Sequence, residues 1–286
     1  MRELARPTLD RSRKQVTPTV ELRSTVTAPD GTRIAFTRAG EGPPLVLVDG
    51  AFCYRGMGPG TPLAALLARS YTVFTYDRRG RAESGDQPPY VVERELEDLD
   101  AVIDEAGGAA YVWGISSGAA LALEAARRGA GITELALYEP PFVVDDSRPP
   151  IPADIAAQLS GLVAADRRDD AVRLFLRQMG APRIVIAVMR LLPVWPKLRR
   201  VAHTLPYDMT IVSPYQRGTA LPTDRWQNVT TPTQVMVGGK SPTWLQHSTR
   251  QLADVLPNAS HRLIPGQTHN VKAKSLAGPL EEFFGH

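Results

Sequence analysis

Ser116 lies in Gly114-Ile115-Ser116-Ser117-Gly118, a G-x-S-x-G pattern. That spacing offers a serine hydroxyl presented at a sharp bend for attack on an acyl carbon. A five-residue pattern carries little alone, and its context sharpens it. Tyr111 to Trp113 before it reads as an apolar strand and Ala119 to Ala126 after it as a helix, the strand-turn-helix the bend requires. Glycines two residues to either side of Ser116 let strand and helix approach closely, and Ser117 lacks that flanking. A serine hydroxyl is a weak nucleophile near neutral pH and needs a base within hydrogen-bond reach. Of the five histidines, His286 is terminal, His261 falls in a strand pattern, His247 on a helical stretch and His203 among helical patterns. His269 follows Pro265-Gly266-Gln267-Thr268 in the loop after the last strand, at the carboxyl end of a parallel sheet where such folds gather their sites. Ser116 as nucleophile and His269 as base are the expected pair.

The elements that must position them follow from apolar periodicity. Val20 to Phe36 reads as a β-hairpin about Ala28-Pro29-Asp30-Gly31, whose Gly tolerates positive φ. Leu45 to Val48 is apolar without alternation, as in a strand covered on both faces. A helix from Pro62 to Ser70 and a strand from Tyr71 to Tyr76 complete one βαβ unit. Val92, Leu96, Leu99 and Ile103 form one helical stripe, with Glu93, Arg94, Glu97 and Asp98 around it and Gly107-Gly108 ending it. Strand 111–115, helix 117–128 and strand 132–138 follow. From 142 to 221 only helical patterns and prolines occur, as in 153–165 and 171–179. Alternation then resumes with strand 233–237, helix 244–256, strand 261–264 and helix 271–284. The expected fold is α/β: a mostly parallel eight-stranded sheet with helices on both faces and a helical cap inserted after the sixth strand. The expected division is a basic, disordered tail over 1–19, a core of 20–141 and 222–286, and a cap of 142–221.

Composition narrows the function. The 286 residues are 43% hydrophobic, enough to bury a sizeable core. The net charge of +3 resides entirely in residues 1–19, so the rest of the chain is balanced and nucleic acid is not an expected partner. The tail lacks the apolar run of a signal peptide. The most apolar stretch, Ile184 to Trp195, is about twelve residues long and is broken by Arg190 and Pro193, short of the roughly 20 needed to span a bilayer. No membrane partner is expected. One cysteine, Cys53, excludes an internal disulfide and a Cys-rich zinc site and points to the cytoplasm. Without a P-loop, a G-x-G-x-x-G opening a helix, an H-E-x-x-H or an EF-hand loop, no cofactor or metal is expected. The expected partner is a small-molecule substrate, and the oligomeric state is left open.

From about Val20 to Phe284 the chain resembles the α/β-hydrolase fold family. The likeness rests on Tyr76-Asp-Arg-Arg-Gly-Arg-Ala-Glu-Ser84, the bend at 114–118, Tyr138-Glu-Pro-Pro141, Val237-Gly-Gly-Lys-Ser-Pro242 and Gly266-Gln-Thr-His269. The resemblance implies a triad in the order Ser, acid, His and a cap over the nucleophile. Two departures matter. Where the family usually carries its triad aspartate, this chain has Ser241. The alternative family position, at the end of the preceding strand, holds Glu139, which would hold the imidazole tautomer and stabilise the imidazolium. Asp145, Asp146 and Asp208 stay open as other acids. Asp49-Gly50 stands where the family more often has His-Gly. The resemblance assigns oxyanion donors to the backbone of Ala51 or Phe52 and of Ser117. An anionic Asp49 would disfavour the oxyanion, so it is expected either to turn away and bond the loop or to take part in proton transfer.

The loop from Phe52 to Gly60 reads as a flexible connector or else a gate to the pocket, Cys53 as a buried thiol, and Arg78, Arg79 and Arg81 as solvated or structural charges or else an anion site. Met179, Met189, Met209, Trp195, Tyr207 and Tyr215 could form an apolar ceiling or the cap's own core. The expected activity is serine hydrolysis of an ester, lactone or related acyl bond of a small, largely apolar substrate by Ser116, His269 and Glu139. The alternatives are a cofactor-free lyase or cyclase on the same scaffold, or a non-catalytic small-ligand binder.

Overall fold

The structure, a computed structural model, describes residues 21–285. The expected tail over 1–19 lies outside them. Strand β1 (Leu22–Thr27) pairs antiparallel with β2 (Arg33–Ala39), and Gly31 takes a φ of 86° in the turn between them. The remaining strands are β3 (Pro44–Val48), β4 (Thr72–Tyr76), β5 (Ala110–Ile115), β6 (Ile132–Tyr138), β7 (Thr233–Gly238) and β8 (Ala259–Ile264). All eight form one sheet in the order β1-β2-β4-β3-β5-β6-β7-β8. From β4 to β8 every neighbouring pair is parallel, and β2 meets β4 antiparallel.

Both faces of this sheet are covered. Side chains alternate along a strand, so Leu45 and Leu47 of β3 enter one core and Val46 and Val48 the other. The smaller core receives α1 (Gly60–Leu67) and α10 (Ala273–Phe284) through Leu63, Leu67, Leu276, Leu280 and Phe284. The larger receives α2 (Val92–Glu105), α3 (Ser117–Arg128) and α9 (Thr243–Val255). Burial on both faces is why these strands read as continuous apolar runs.

Between β6 and β7 the chain runs through α4 (Ile155–Ala164), α5 (Arg168–Gln178), α6 (Arg183–Met189), α7 (Val194–Arg200) and α8 (Leu205–Val212). Helix α8 packs on α4 and on α3, and so ties this run to the sheet. No helix among the described residues is long and apolar enough to cross a membrane.

The chain passes from β3 to β4 on one side and then crosses to β5 on the other. Connections that diverge in this way open a crevice at the carboxyl ends of the strands. The loops after β3 and β5 meet at that crevice.

Candidate active site

Ser116 joins β5 directly to α3 with φ 58° and ψ −126°, a region that a non-glycine residue occupies only when its surroundings enforce it. Two glycines allow that enforcement. A Cβ on Gly118 would lie 2.3 Å from the carbonyl oxygen of Val48, and one on Gly50 would lie 2.9 Å from Cβ of Ser116. The helix therefore starts hard against β3, and the loop after β3 lies against the serine. The Ser116 N–H donates to the Tyr138 carbonyl at 2.9 Å, fixing the bend to the end of β6.

The same strand end carries Glu139, fully buried with φ 48°. Its Oε2 lies 2.8 Å from Nδ1 of His269. Its Oε1 accepts hydrogen bonds from the Gly238 N–H at 2.7 Å and from Ser241 Oγ at 2.5 Å. Tyr138 donates its hydroxyl to the carbonyl of Thr268 at 2.8 Å, anchoring the loop that bears His269. With Nδ1 engaged by a carboxylate, Nε2 is the ring nitrogen left to exchange a proton. No hydrogen bond joins Ser116 Oγ to His269 in the structure, but both side chains line one cleft of about 570 Å³. Catalytic hydrogen bonds are often long before substrate binds and tighten in the complex.

The cleft walls come from the loop after β3, the start of α1, the bend, and residues 269–273; Gly50, Ala51, Pro59, Ile115, Asn270 and Lys272 are among them. None of the residues expected as an apolar ceiling lines it. Met209 and Trp195 are buried, and Met179 and Met189 pack against the larger core. Tyr207 stacks on Tyr90 with ring centroids 3.9 Å apart, and Tyr215 packs against Phe142 and Trp226. These side chains pack into the core or against other aromatic rings, away from the cleft.

The backbone N–H groups of Ala51, Phe52 and Ser117 have no acceptor among the described residues. Phe52 takes a φ of 64°, and its ring meets Phe175 of α5 edge to face at 5.1 Å. Asp49 is buried, and its Oδ1 accepts from the Gly60 N–H at 3.2 Å. Its carboxyl is turned into the loop and does not line the cleft. Burial pushes the Asp49 pKa up to about 7, against the pull of the Gly60 N–H, Arg81 and Arg78. Burial likewise pushes the Cys53 thiol up to about 12.

The loop expected to be a flexible connector is pinned. Tyr54 and Met57 exchange backbone hydrogen bonds of 2.8 and 2.7 Å. Arg55 donates to Asp77 at 2.9 Å, to Thr37 at 2.9 Å and to Glu83 at 2.5 Å.

Of the two expectations for the three arginines, solvated or structural, the structural one holds, for all three are buried and paired. Arg78 meets Glu95 at 2.6 Å and Asp208 at 2.8 Å, and Arg79 meets Asp98 at 2.7 Å and Asp30 at 3.0 Å. Arg81 reaches both carboxylate oxygens of Asp208 at 2.9 Å, while its Nη1 donates to the Gly50 carbonyl at 2.6 Å. Asp208 also accepts from Ser117 Oγ at 2.7 Å. Burial opposes the Asp208 charge, yet Arg81 and Arg78 hold its pKa below the ordinary carboxylate value. Asp98, expected on the polar side of its helix, is fully buried. The missed signal was Glu95 and Asp98, each one step before an apolar stripe residue, facing three arginines across the loop.

Asp208 is thus held by arginines, and Asp145 lies 2.5 Å from His247. Neither these two nor exposed Asp146 contacts His269. Among the described residues no cluster of three or more His, Cys, Asp or Glu side chains could hold a metal ion.

Comparison with known proteins agrees with this architecture. The family model described as Alpha/beta hydrolase family matches residues 45–272. The crystal structure of an alpha/beta hydrolase from Sphaerobacter thermophilus is 51% identical, with 91% of this chain and 100% of that one covered and a TM-score of 0.84. N-formylmaleamic acid deformylase from Pseudomonas putida is 21% identical over 91% of this chain and 98% of that one, with a TM-score of 0.61. A thermophilic esterase from Thermogutta terrifontis is also 21% identical, over 92% and 98%, with a TM-score of 0.64; these two likenesses concern the fold. A search of curated proteins finds no match. With a family model spanning most of its length and a half-identical hydrolase that it covers from end to end, the chain belongs to the alpha/beta hydrolase family and is a hydrolase.

Proposed function

We propose that the protein is a serine hydrolase acting on an ester, lactone or related acyl bond of a small, largely apolar substrate. The observation that carries this reading is the placement of Ser116, at its positive φ, in one cleft with His269, whose Nδ1 is held by buried Glu139.

In this reading His269 Nε2 takes the Ser116 Oγ proton as Oγ bonds to the acyl carbon. The N–H groups of Ser117 and of Ala51 or Phe52 bind the oxygen that gains charge. The leaving alkoxide takes the proton from His269, and the acyl group stays on Ser116. Water then gives a proton to His269 and attacks the acyl carbon. The acid departs, and the proton returns to Ser116 Oγ. Glu139 remains ionised throughout and stabilises the imidazolium.

Residues 142–221 are the cap in this reading, and Phe175 of α5 meets the loop after β3 at Phe52, next to the expected oxyanion donors. The two departures from the family pattern, Asp49 and Ser241, lend the non-hydrolytic alternative no support. Asp49 points at Gly60 and Ser241 hydrogen-bonds Glu139, so neither presents an extra acid to the cleft.

A fluorophosphonate probe tests the reading. The expected result is one label per chain at Ser116, abolished in Ser116→Ala, together with turnover of p-nitrophenyl esters by the parent chain. A folded parent chain that neither takes the label nor turns over such esters would overturn it.

A further inference from the structure

The stretch that stands out in the sequence as most apolar plays no part in the cleft. Ile184, Val185, Val188, Leu191 and Leu192 fall at spacings of 1, 3, 3 and 1, the pattern of one helical face. Such a face normally turns to the core, but this one turns outward: Ile184 is 75% exposed and Leu191 87%. Ile186 on the opposite side of α6 is buried and holds the helix to the larger core. A contiguous exposed apolar face of this kind marks an interaction surface.

Charge identifies what it fits. Residues 171–207 contain seven Arg or Lys and no Asp or Glu. Arg173 and Arg199 are neutralised by Asp170 and Asp169. Arg183, Arg190, Lys197 and Arg200, which surround the apolar face in sequence, are exposed and have no ion-pair partner among the described residues. A second copy docked about a two-fold axis would bring the same patch, and so the same four cations, together, a repulsive arrangement. An anionic amphiphilic surface instead accepts apolar side chains below and cations at its headgroups.

We propose that α6 and the following turn form a docking surface for an anionic phospholipid surface, on which the protein sits peripherally. The proposal needs no membrane-spanning helix, because apolar side chains dip only into the headgroup boundary while the rest of the chain stays in water. It is also independent of the nucleophile.

The test is co-flotation of the full chain with vesicles of phosphatidylcholine alone or with added phosphatidylglycerol. The expected result is partitioning at least about tenfold stronger onto the anionic vesicles, lost when ionic strength rises from about 0.05 M to about 0.5 M. Arg183→Glu with Arg190→Glu, and separately Leu191→Asp, each lower that partitioning about tenfold or more with an unchanged thermal melt. Ser116→Ala partitions like the parent chain, so failure of the serine-hydrolase reading leaves this result standing. Equal or absent binding to both vesicle types overturns the proposal. So does a parent chain that elutes as a dimer, becomes monomeric on Leu191→Asp and ignores vesicles, because the face then belongs to a second copy.

Discussion

Ser241 Oγ donates to Oε1 of Glu139 at 2.5 Å, from the position where the resemblance led to the expectation of an acid. The serine therefore supports the buried carboxylate that follows the end of β6. With the Gly238 N–H at 2.7 Å on the same oxygen, Glu139 has both Oε1 bonds in place and directs Oε2 at His269. An ionised carboxylate buried without such donors would carry a large desolvation cost.

Glu139→Gln keeps the side-chain volume and removes the charge that would stabilise the imidazolium. The expected outcome is a loss in kcat of about a hundredfold or more, with KM changed little and the fold retained by circular dichroism. Steady-state kinetics on a p-nitrophenyl ester checks it. Activity within a few-fold of the parent would remove Glu139 from the triad.

Ser241→Ala deletes one charge-assisted hydrogen bond to the same carboxylate. Bonds to charged groups contribute about 1.5–3 kcal/mol, so urea denaturation should show a stability loss of that order. The kcat should fall about tenfold. A larger effect on KM than on kcat would instead place Ser241 in contact with substrate.

Asp208→Asn leaves Arg78 and Arg81 facing each other in a buried site without the carboxylate between them. Breaking a buried pair in this way costs about 3–5 kcal/mol. The thermal midpoint should drop accordingly. Because Arg81 also holds the Gly50 carbonyl and Ser117 bonds to Asp208, fluorophosphonate labelling should slow in the fraction that remains folded.

Asp49 supplies a pH test. Its pKa rises from 3.8 to about 7 in the folded chain because burial disfavours the anion. Between those values the native state holds more protons at this site than the unfolded state does. Stability contributed by Asp49 therefore falls as pH rises from about 4 to about 7 and is flat above. Asp49→Asn, which keeps an oxygen for the Gly60 N–H, should gain on the parent by about 2–4 kcal/mol between pH 5 and pH 8. Urea midpoints of both proteins at the two pH values measure it. Parallel pH dependence would mean that Asp49 stays ionised in the fold.

Local pattern was enough to foresee much of this molecule. Apolar runs without alternation identified the buried strands, because a strand covered on both faces has no polar side. Gly114 and Gly118 marked the bend at Ser116, because a Cβ at either would strike backbone. Those features depend on steric and periodic rules acting over a few residues.

What local pattern did not decide was which charges meet. Arg78, Arg79 and Arg81 looked like ordinary loop charges until α2 and α8 brought Glu95, Asp98 and Asp208 against them. The loop after β3 looked free until Arg55 and Asp77 tied it down. His269 and Glu139 are 130 positions apart, and several aspartates could have stood in for the glutamate by spacing alone. Whether an ionisable group is solvated, paired or poised depends on distance and burial. The folded packing of remote segments sets both, and no window of neighbouring residues contains that information.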